Sequence, residues 1–335
     1  MFHHRTDTRR KLALRLIQYG RLALSIPFQV PWRAILLCMA VILGVTPFML
    51  SQATGSQVDV AVTIVVSVEA KHGKDVPTIY REDVRVFQDH GRMRVTDWVA
   101  LQKEQSGLEL FLLIDDAAET SIGSQFDDLR KFISEQPSTT AIAVGYIRFG
   151  SVNIVQNLTN NHALAANALR LPTGSGGASP YIAITELMRH WPQSANRRQI
   201  FMISSGIDGL QPGPSNTYLQ QAIEQAQRSG IQIYSIYAGQ TGHFGHTFWR
   251  LNWGQNNLSQ LADETGGEAY FQGLQAPISF GPYMDEFADR LKHQYKLTFL
   301  AQPRKEPGFE QIRLETEVPN AELVAASRVY VPASK

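Results

Sequence analysis

Residues 108–116 have the sequence LELFLLIDD, in which an uninterrupted apolar run, Leu110–Ile114, is followed by Asp115 and Asp116. A short apolar run without polar alternation is typical of a strand that is buried on both faces of a parallel sheet. Parallel strands need crossover connections, usually helices, so this segment predicts an α/β fold. Ligands bind beyond the carboxyl ends of the strands in such sheets, and the two aspartates therefore mark a candidate site.

The segments that follow residue 116 alternate between helix patterns and strand patterns. This alternation predicts a doubly wound, mostly parallel, Rossmann-like sheet with helices on both faces, formed by residues 108–293. The predicted strands after the first are 141–149, 152–158, 200–204 and 231–237, and the predicted helices are 124–136, 162–169, 179–191, 218–228, 258–265 and 282–293.

Segments rich in β patterns flank this core on both sides. Residues 57–104, an N-terminal β unit, contain strand candidates at 58–68, 84–88 and 95–100, separated by turns. Residues 294–332, a C-terminal β extension, contain further candidates at 295–301, 311–318 and 323–331. Because the chain ends of a doubly wound domain tend to lie close together, we expect the two flanks to meet and form one appended β-sandwich.

The first 53 residues have the pattern of a targeting segment. A basic leader precedes Ala34–Leu50, which is almost wholly apolar, and small residues follow it at Ser51 and Ala53. This order is typical of an export signal that is cleaved near Ala53. The alternative is an uncleaved signal anchor, since the apolar stretch would span about 25 Å as a helix, close to the hydrocarbon thickness of a bilayer. Either interpretation predicts that the globular part lies outside the cytoplasm.

Charge and cysteine content exclude several classes of protein. Seven of the 31 basic and one of the 30 acidic side chains precede residue 53, so the remaining chain has 24 basic and 29 acidic groups. This mildly acidic balance argues against a nucleic-acid-binding protein. The chain has one cysteine, Cys38, in the apolar segment, which excludes a disulfide framework and a cysteine-based zinc site.

Several motifs follow one another in a characteristic order along residues 57–332. They are Arg81-Glu82-Asp83-Val84, Phe87-Gln88-Asp89, Phe111-Leu112-Leu113-Ile114-Asp115, Ile203-Ser204-Ser205-Gly206-Ile207-Asp208, Leu261-Ala262-Asp263-Glu264-Thr265-Gly266-Gly267 and Gln294-Tyr295-Lys296-Leu297. On these motifs the chain resembles the von Willebrand factor A (vWA) superfamily. It is most similar to the vWFA-related domain of acidobacterial-type exported proteins.

The resemblance implies a metal-ion-dependent adhesion site at the carboxyl end of the sheet. In the family, an Asp-x-Ser-x-Ser loop, a threonine and a second aspartate hold Mg²⁺, which takes a carboxylate from the partner. Asp115 matches the leading aspartate. The two serine positions fall on Ala117 and Glu119, the threonine position on Ala178, and the last aspartate on Ser205.

This substitution pattern predicts a degenerate site. Mg²⁺ prefers hard oxygen ligands in near-octahedral geometry, and Ala117 and Ala178 offer no side-chain oxygen. We therefore expect no cofactor and no resident metal; the open alternative is a weakly attracted Mg²⁺ beside Asp115, Asp116 and Glu119. The polar side chains expected to form a binding rim are Asp115, Asp116, Glu119, Ser179, Ser205 and Asp208.

An aromatic segment follows the predicted strand 231–237. Phe244, Phe248, Trp249 and Trp253 would anchor a partner if they were exposed, but they could equally pack beneath a long loop.

The favoured function is a non-enzymatic, extracytoplasmic protein-binding module that uses the loop rim, with a protein partner and no small-molecule substrate. One alternative is a structural component of a cell-envelope assembly, anchored in the membrane by Ala34–Leu50. The other is a serine hydrolase that uses Ser205 with His243 or His246, although the segment lacks the first glycine of the nucleophile-elbow motif.

Overall fold

The computed structural model describes residues 59–175, 177, 179–239, 248–273 and 277–333. This part of the chain contains two β-sheets. One sheet has six strands and carries helices on both faces, and the other has seven strands. The predicted export or anchor segment, residues 1–53, lies outside the described residues. Among the described residues, no helix has the length and apolar character that crossing a bilayer would require.

The six-stranded sheet confirms the mixed α/β fold that the apolar run predicted. Its strands are β4 (Leu108–Asp115), β5 (Thr140–Arg148), β6 (Ser151–Thr159), β7 (Arg197–Ser204), β8 (Ile231–Tyr237) and β9 (Ala269–Tyr270). The strand order is β6-β5-β4-β7-β8-β9, and every neighbouring pair is parallel except β5 and β6, which form a hairpin. The strand that contains the apolar run, β4, is therefore central.

Apolar side chains on both faces of this sheet pack against helices. Leu110 and Leu112 of β4 point to one face, and Phe111 and Leu113 point to the other, as the pleat of a strand requires. The first face is covered by α1 (Phe126–Glu135), α2 (His162–Asn167) and α6 (Gly281–Lys292). The second is covered by α3 (Pro180–His190), α4 (Thr217–Ser229) and α5 (Phe248–Thr265).

Helix α5 is longer than the sequence pattern predicted. The segment 248–257 was expected to be loop, with a helix beginning at 258, but the helix begins at Phe248. Gly254 and several asparagines, which have low helix propensity, interrupt the helical spacing of apolar residues in this segment. Nevertheless, Leu258, Leu261 and Thr265 continue one buried face that begins at Gly254.

The flanking strands form the seven-stranded sheet. They are β1 (Val60–Ala70), β2 (Val84–Gln88), β3 (Gly91–Ala100), β10 (Gln294–Ala301), β11 (Gly308–Thr316), β12 (Ala321–Val324) and β13 (Arg328–Val331). Their order in the sheet is β12-β1-β10-β3-β2-β11-β13. The expectation that the two flanks meet is confirmed, because β1 pairs antiparallel with β10 from Val60↔Ala301 to Ser67↔Gln294.

The expected β-sandwich is wrong, because these seven strands belong to one curled antiparallel sheet and not to two stacked sheets. A register shift between Thr298 and Phe299, where β10 pairs with β3, is the kind of irregularity that bends a sheet. The curled sheet packs its own apolar core, which includes Val66, Val86 and Phe299. The predicted last strand, 323–331, is divided into the short strands β12 and β13.

A buried amide network joins the two sheets at the amino ends of the parallel strands. The side-chain amide of Gln199 in β7 donates to Gln232 Oε1 in β8 at 2.9 Å and to Gln294 Oε1 in β10 at 2.8 Å. Gln294 in turn donates to the hydroxyl of Tyr234 at 3.0 Å. Because Gln294 closely follows α6, this network fixes the point at which the chain passes from one sheet to the other.

Candidate functional site

Asp115 ends the central strand β4 and is completely buried. Its Oδ1 accepts a hydrogen bond from the backbone N–H of Ala117 at 3.1 Å, and its Oδ2 accepts one from the hydroxyl of Ser204 at 2.9 Å. Burial raises the pKa of Asp115 to about 6, although both hydrogen bonds favour the ionised form. The carboxyl group is therefore held inside the protein by β4 and β7, which lie side by side.

Asp116, the next residue, is also buried but has a cationic partner. The guanidinium of Arg170 donates from Nη1 to Oδ1 at 2.8 Å and from Nη2 to Oδ2 at 3.3 Å, and the backbone N–H of Thr173 donates to Oδ1 at 3.0 Å. Burial favours the neutral acid, but these hydrogen bonds and the charge of Arg170 outweigh it and lower the pKa of Asp116. Arg170 is itself held over the ring of Tyr146, 3.7 Å from its centroid.

The turn after β7 packs directly against α5. Gly206 has a φ of +68°, which favours glycine. A Cβ on Gly206 would lie 2.2 Å from the backbone oxygen of Gly254, and a Cβ on Gly254 would lie 2.2 Å from the backbone oxygen of Ser205. The close backbone approach therefore requires glycine at both positions. The Ser205 hydroxyl is buried and accepts a hydrogen bond from the N–H of Ile207 at 3.3 Å.

Helix α3 contributes a second contact to the same turn. The hydroxyl of buried Tyr181 donates to the backbone oxygen of Gly206 at 2.6 Å, and the side-chain amide of Asn257 in α5 donates to the same oxygen at 3.3 Å. Burial, with the nearby charge of Asp208, raises the pKa of Tyr181 well above its ordinary value. The phenol therefore stays protonated at neutral pH and able to donate this hydrogen bond.

The six side chains of the predicted rim are mostly buried. Asp115, Asp116, Ser179, Ser205 and Asp208 are buried, and Glu119 is half-buried. Asp208 Oδ1 accepts from the N–H of Leu210 at 2.8 Å, whereas its Oδ2 has no hydrogen-bond partner among the described residues. The structure thus places these residues at the carboxyl end of the sheet, where all but Glu119 lie beneath the surface.

The side chains at this end do not fit the magnesium site that the vWA resemblance implies. Both oxygens of Asp115 and both oxygens of Asp116 already accept hydrogen bonds within the chain, and Arg170 supplies the positive charge beside Asp116. Ala117 has no oxygen to offer in its side chain. Within the described ranges, no group of three or more histidine, cysteine, aspartate or glutamate residues is arranged to hold a metal ion.

Several large apolar side chains near the carboxyl end of the six-stranded sheet are exposed. The described residues include eleven exposed large apolar side chains, and seven of them follow the carboxyl ends of parallel strands or lie in the loops that pack there. We call these seven residues the apolar rim. They are Phe149, Leu171, Leu210, Phe248, Trp249, Phe271 and Ile278.

Of the aromatic segment, two residues are exposed and one is partly packed against its neighbours, so the sequence alternatives of exposure and packing both occur. Phe248 and Trp249, at the start of α5, are exposed and contact each other edge to face, with ring centroids 5.8 Å apart. Trp253 is half-buried and lines a small cavity together with Asp208. Phe244 lies outside the described residues, as do His243 and His246.

Sequence reasoning missed Arg170 and Thr173, the partners of Asp116. Both lie in the loop after α2, in which only Ala178 and Ser179 were candidate site positions. The sequence carried no local signal for this pairing, because Arg170 and Asp116 are 54 residues apart.

Comparison with known proteins gives structural similarities only. No protein-family model matches the chain, and no curated protein matches it in sequence. Among solved structures, the vWF domain of the type V pili tip protein Mfa5 from Porphyromonas gingivalis is similar, with 12% identity and a TM-score of 0.38, over 54% of this chain and 93% of that one.

Two further structures show similar values. A point mutant of the PilB minor pilin from Streptococcus sanguinis has 12% identity and a TM-score of 0.38, over 56% of this chain and 62% of the pilin chain. The ArnB paralog VWA2 from Sulfolobus acidocaldarius has 9% identity and a TM-score of 0.36, over 81% and 76%. Because each TM-score is below 0.5, we interpret the site from its own contacts.

Proposed function

We propose that this chain is a non-enzymatic, extracytoplasmic module that binds another protein through the apolar rim of a vWA-like domain. We further propose that it is related to the vWFA-related domain of acidobacterial-type exported proteins. The observation that carries the function is the concentration of exposed large apolar side chains at one end of the six-stranded sheet. Contiguous exposed apolar patches mark interaction sites on soluble proteins, and Phe248 and Trp249 of the apolar rim contact each other.

The chemistry of the apolar rim suits a polypeptide partner. Aromatic side chains such as Phe149 and Trp249 bury a large apolar area at a low cost in conformational entropy, and they are frequent energetic centres of protein interfaces. The backbones that present them are stiffly held. Phe149 belongs to a tight β5–β6 hairpin, and Trp249 belongs to α5, which packs against the turn after β7.

The buried polar groups then have a supporting role and do not form the contact surface. Asp116, with Arg170 and Thr173, ties the loop after β4 to the loop after α2. Asp115, with Ser204, ties β4 to β7. In this proposal, hydrogen bonds and one ion pair hold the loops that a bound Mg²⁺ holds in the vWA family, and recognition proceeds without a metal.

A hydrolase is a poorer match to the same geometry. A catalytic serine needs an accessible hydroxyl with a base within hydrogen-bond reach. The hydroxyl of Ser205 is buried and accepts a hydrogen bond from its own turn. The burial of Ser205 thus favours a binding module over an enzyme at this site.

The proposal is tested by quantitative capture of partners from envelope extract on the immobilised full chain, followed by mass spectrometry. The rim variants are Trp249→Ser and Leu210→Ser. The control is Leu164→Ser, since Leu164 is similarly exposed but lies in α2, near the amino ends of the parallel strands. Loss of one large apolar contact at the centre of an interface typically costs about 2 kcal/mol, so capture should fall about 30-fold for a rim variant.

Specific proteins that wild type and Leu164→Ser retain, and that both rim variants lose, would support the proposal. Equal capture by all four chains would contradict it, and so would loss on Leu164→Ser alone. Circular dichroism of each variant shows whether it is folded, so that loss of capture through misfolding is distinguished from loss of a contact.

A further inference from the structure

A groove of about 500 Å³ lies between α1 and α6, and no residue of the apolar rim lines it. Its walls are largely apolar and include Leu101, Phe132, Met284, Ala288 and Leu291. Along α6, from Gly281 to Leu291, the groove extends about 15 Å at 1.5 Å per residue. Pockets of this volume with apolar walls are typical of sites for small molecules.

Arg197 lies at one end of this groove, at the start of β7. Among the described residues, its guanidinium has only neutral hydrogen-bond acceptors: Nη1 donates to the backbone oxygen of Leu291 at 3.0 Å and to Gln294 Oε1 at 2.7 Å. Its Nε is buried without a partner in the described part of the chain. Burial lowers the pKa of Arg197 to about 10, so the group is still a cation at neutral pH.

A largely buried cation without a counter-ion is costly, and an anion bound beside it would recover part of that cost. The groove is lined by three cationic and three anionic side chains, but the carboxylate that completes this count lies at the end opposite Arg197. Lys131 and Lys292 are matched in number by Glu135 and Asp285. Asp128, near the opposite end, accepts hydrogen bonds from the hydroxyl of Ser279 and the N–H of Gly281.

We propose that the groove binds a small amphiphile with one carboxylate head, which pairs with Arg197, and an apolar chain that lies between α1 and α6. Hydrogen bonds from a guanidinium group to a carboxylate are charge-assisted and are roughly twice as strong as those between neutral groups. The chain would lie against Leu291, Ala288 and Met284. The groove is separate from the apolar rim, so the two proposals can fail independently.

The probe is decanoate, titrated calorimetrically into the purified full chain, with decyltrimethylammonium and decanol as cationic and neutral analogues of the same chain length. We expect saturable binding of decanoate that is at least about 10-fold tighter than that of either analogue. Replacing Arg197 by glutamine should weaken decanoate binding by about 10- to 100-fold, the range expected for a charge-assisted hydrogen bond. The control Arg313→Gln removes an exposed arginine of β11 and should leave binding unchanged.

Because Arg197 also bonds to Gln294, a second variant fills the groove without touching the arginine. Ala288→Leu should abolish decanoate binding while circular dichroism and thermal melting stay as in wild type. Equal binding to wild type and Ala288→Leu would overturn the proposal, as would equal affinity for decanoate and the ammonium analogue. Preference for an acetylated apolar tripeptide with a free carboxylate would assign the groove to a polypeptide terminus and would also overturn it.

Discussion

Replacing Asp115 by asparagine removes the charge of a carboxylate that is completely buried, while preserving its size and its Oδ1 acceptor. In the folded chain the pKa of this group is raised from 3.8 to about 6 by burial. Between these two values the folded state binds more protons than the unfolded state, so wild-type stability falls as the pH rises from about 4 to about 6. Above about pH 6 this loss is complete.

The size of the effect follows from the same pKa values. A change from 3.8 to about 6 corresponds to about 3 kcal/mol, at 1.36 kcal/mol per pH unit. Asparagine does not carry this cost, but its amide nitrogen replaces Oδ2, and the hydroxyl of Ser204 must turn to accept from it. We therefore expect Asp115→Asn to raise the free energy of unfolding at pH 7.5 by about 1 to 3 kcal/mol.

Urea denaturation at pH 4, 5.5 and 7.5, followed by tryptophan fluorescence, measures this effect. The variant should unfold at a higher urea concentration than wild type at pH 7.5, and the difference should shrink toward pH 4. Asp127→Asn is the control, because the Asp127 carboxylate is exposed in α1, and it should change the midpoint very little. A variant that is less stable than wild type at pH 7.5 would refute the reasoning, since the ionised carboxylate would then stabilise the fold.

Two further changes test the supports of the loops. Arg170→Met should lower the free energy of unfolding at pH 7 by about 2 to 3 kcal/mol, because it leaves the buried carboxylate of Asp116 without its cation. A larger loss is not expected, because the arginine is partly exposed and solvent screens its charge. Since the folded-state pKa of Asp116 is lowered, this loss of stability should shrink as the pH falls below about 4. The control is Arg130→Met, which breaks the exposed ion pair with Asp127 and should lower the free energy of unfolding by less than about 0.5 kcal/mol at any pH. Gly254→Ala places a methyl group against the backbone oxygen of Ser205, which should cost about 2 kcal/mol of stability and lower the melting temperature by several degrees. The control Gly213→Ala places its methyl group in open space and should leave the melting temperature unchanged. Equal melting temperatures for these two variants would contradict the close approach of the two backbones.

Much of the α/β fold could be predicted because its signals are local. The apolar run of β4 favours a strand that is buried on both faces, and the β-branched and aromatic residues of β8, Ile231–Tyr237, favour a strand. Alternating helices and strands then leave few topologies, and a parallel sheet aligns the carboxyl ends of its strands at one edge. The position of Asp115 and Ser204 at that edge follows from these rules alone.

The contacts across the site could not be predicted, because they join residues that are distant in the sequence. No local pattern indicates that Arg170 pairs with Asp116 or that Gly206 meets Gly254. The same holds for the curled sheet, since alternation identifies its strands but cannot tell one bent sheet from two stacked sheets. The burial of Asp115 and Asp116 also depends on how the loops close, which the sequence pattern does not specify.

Metal dependence of partner capture tests the central claim most directly. The claim is that the apolar rim binds its partner through polypeptide contacts while internal hydrogen bonds hold the loops in place. Capture from envelope extract should be the same in EDTA and in millimolar Mg²⁺, and it should fall sharply for Trp249→Ser in both. Capture that requires Mg²⁺, and that Asp115→Ala abolishes without unfolding the chain, would contradict the claim.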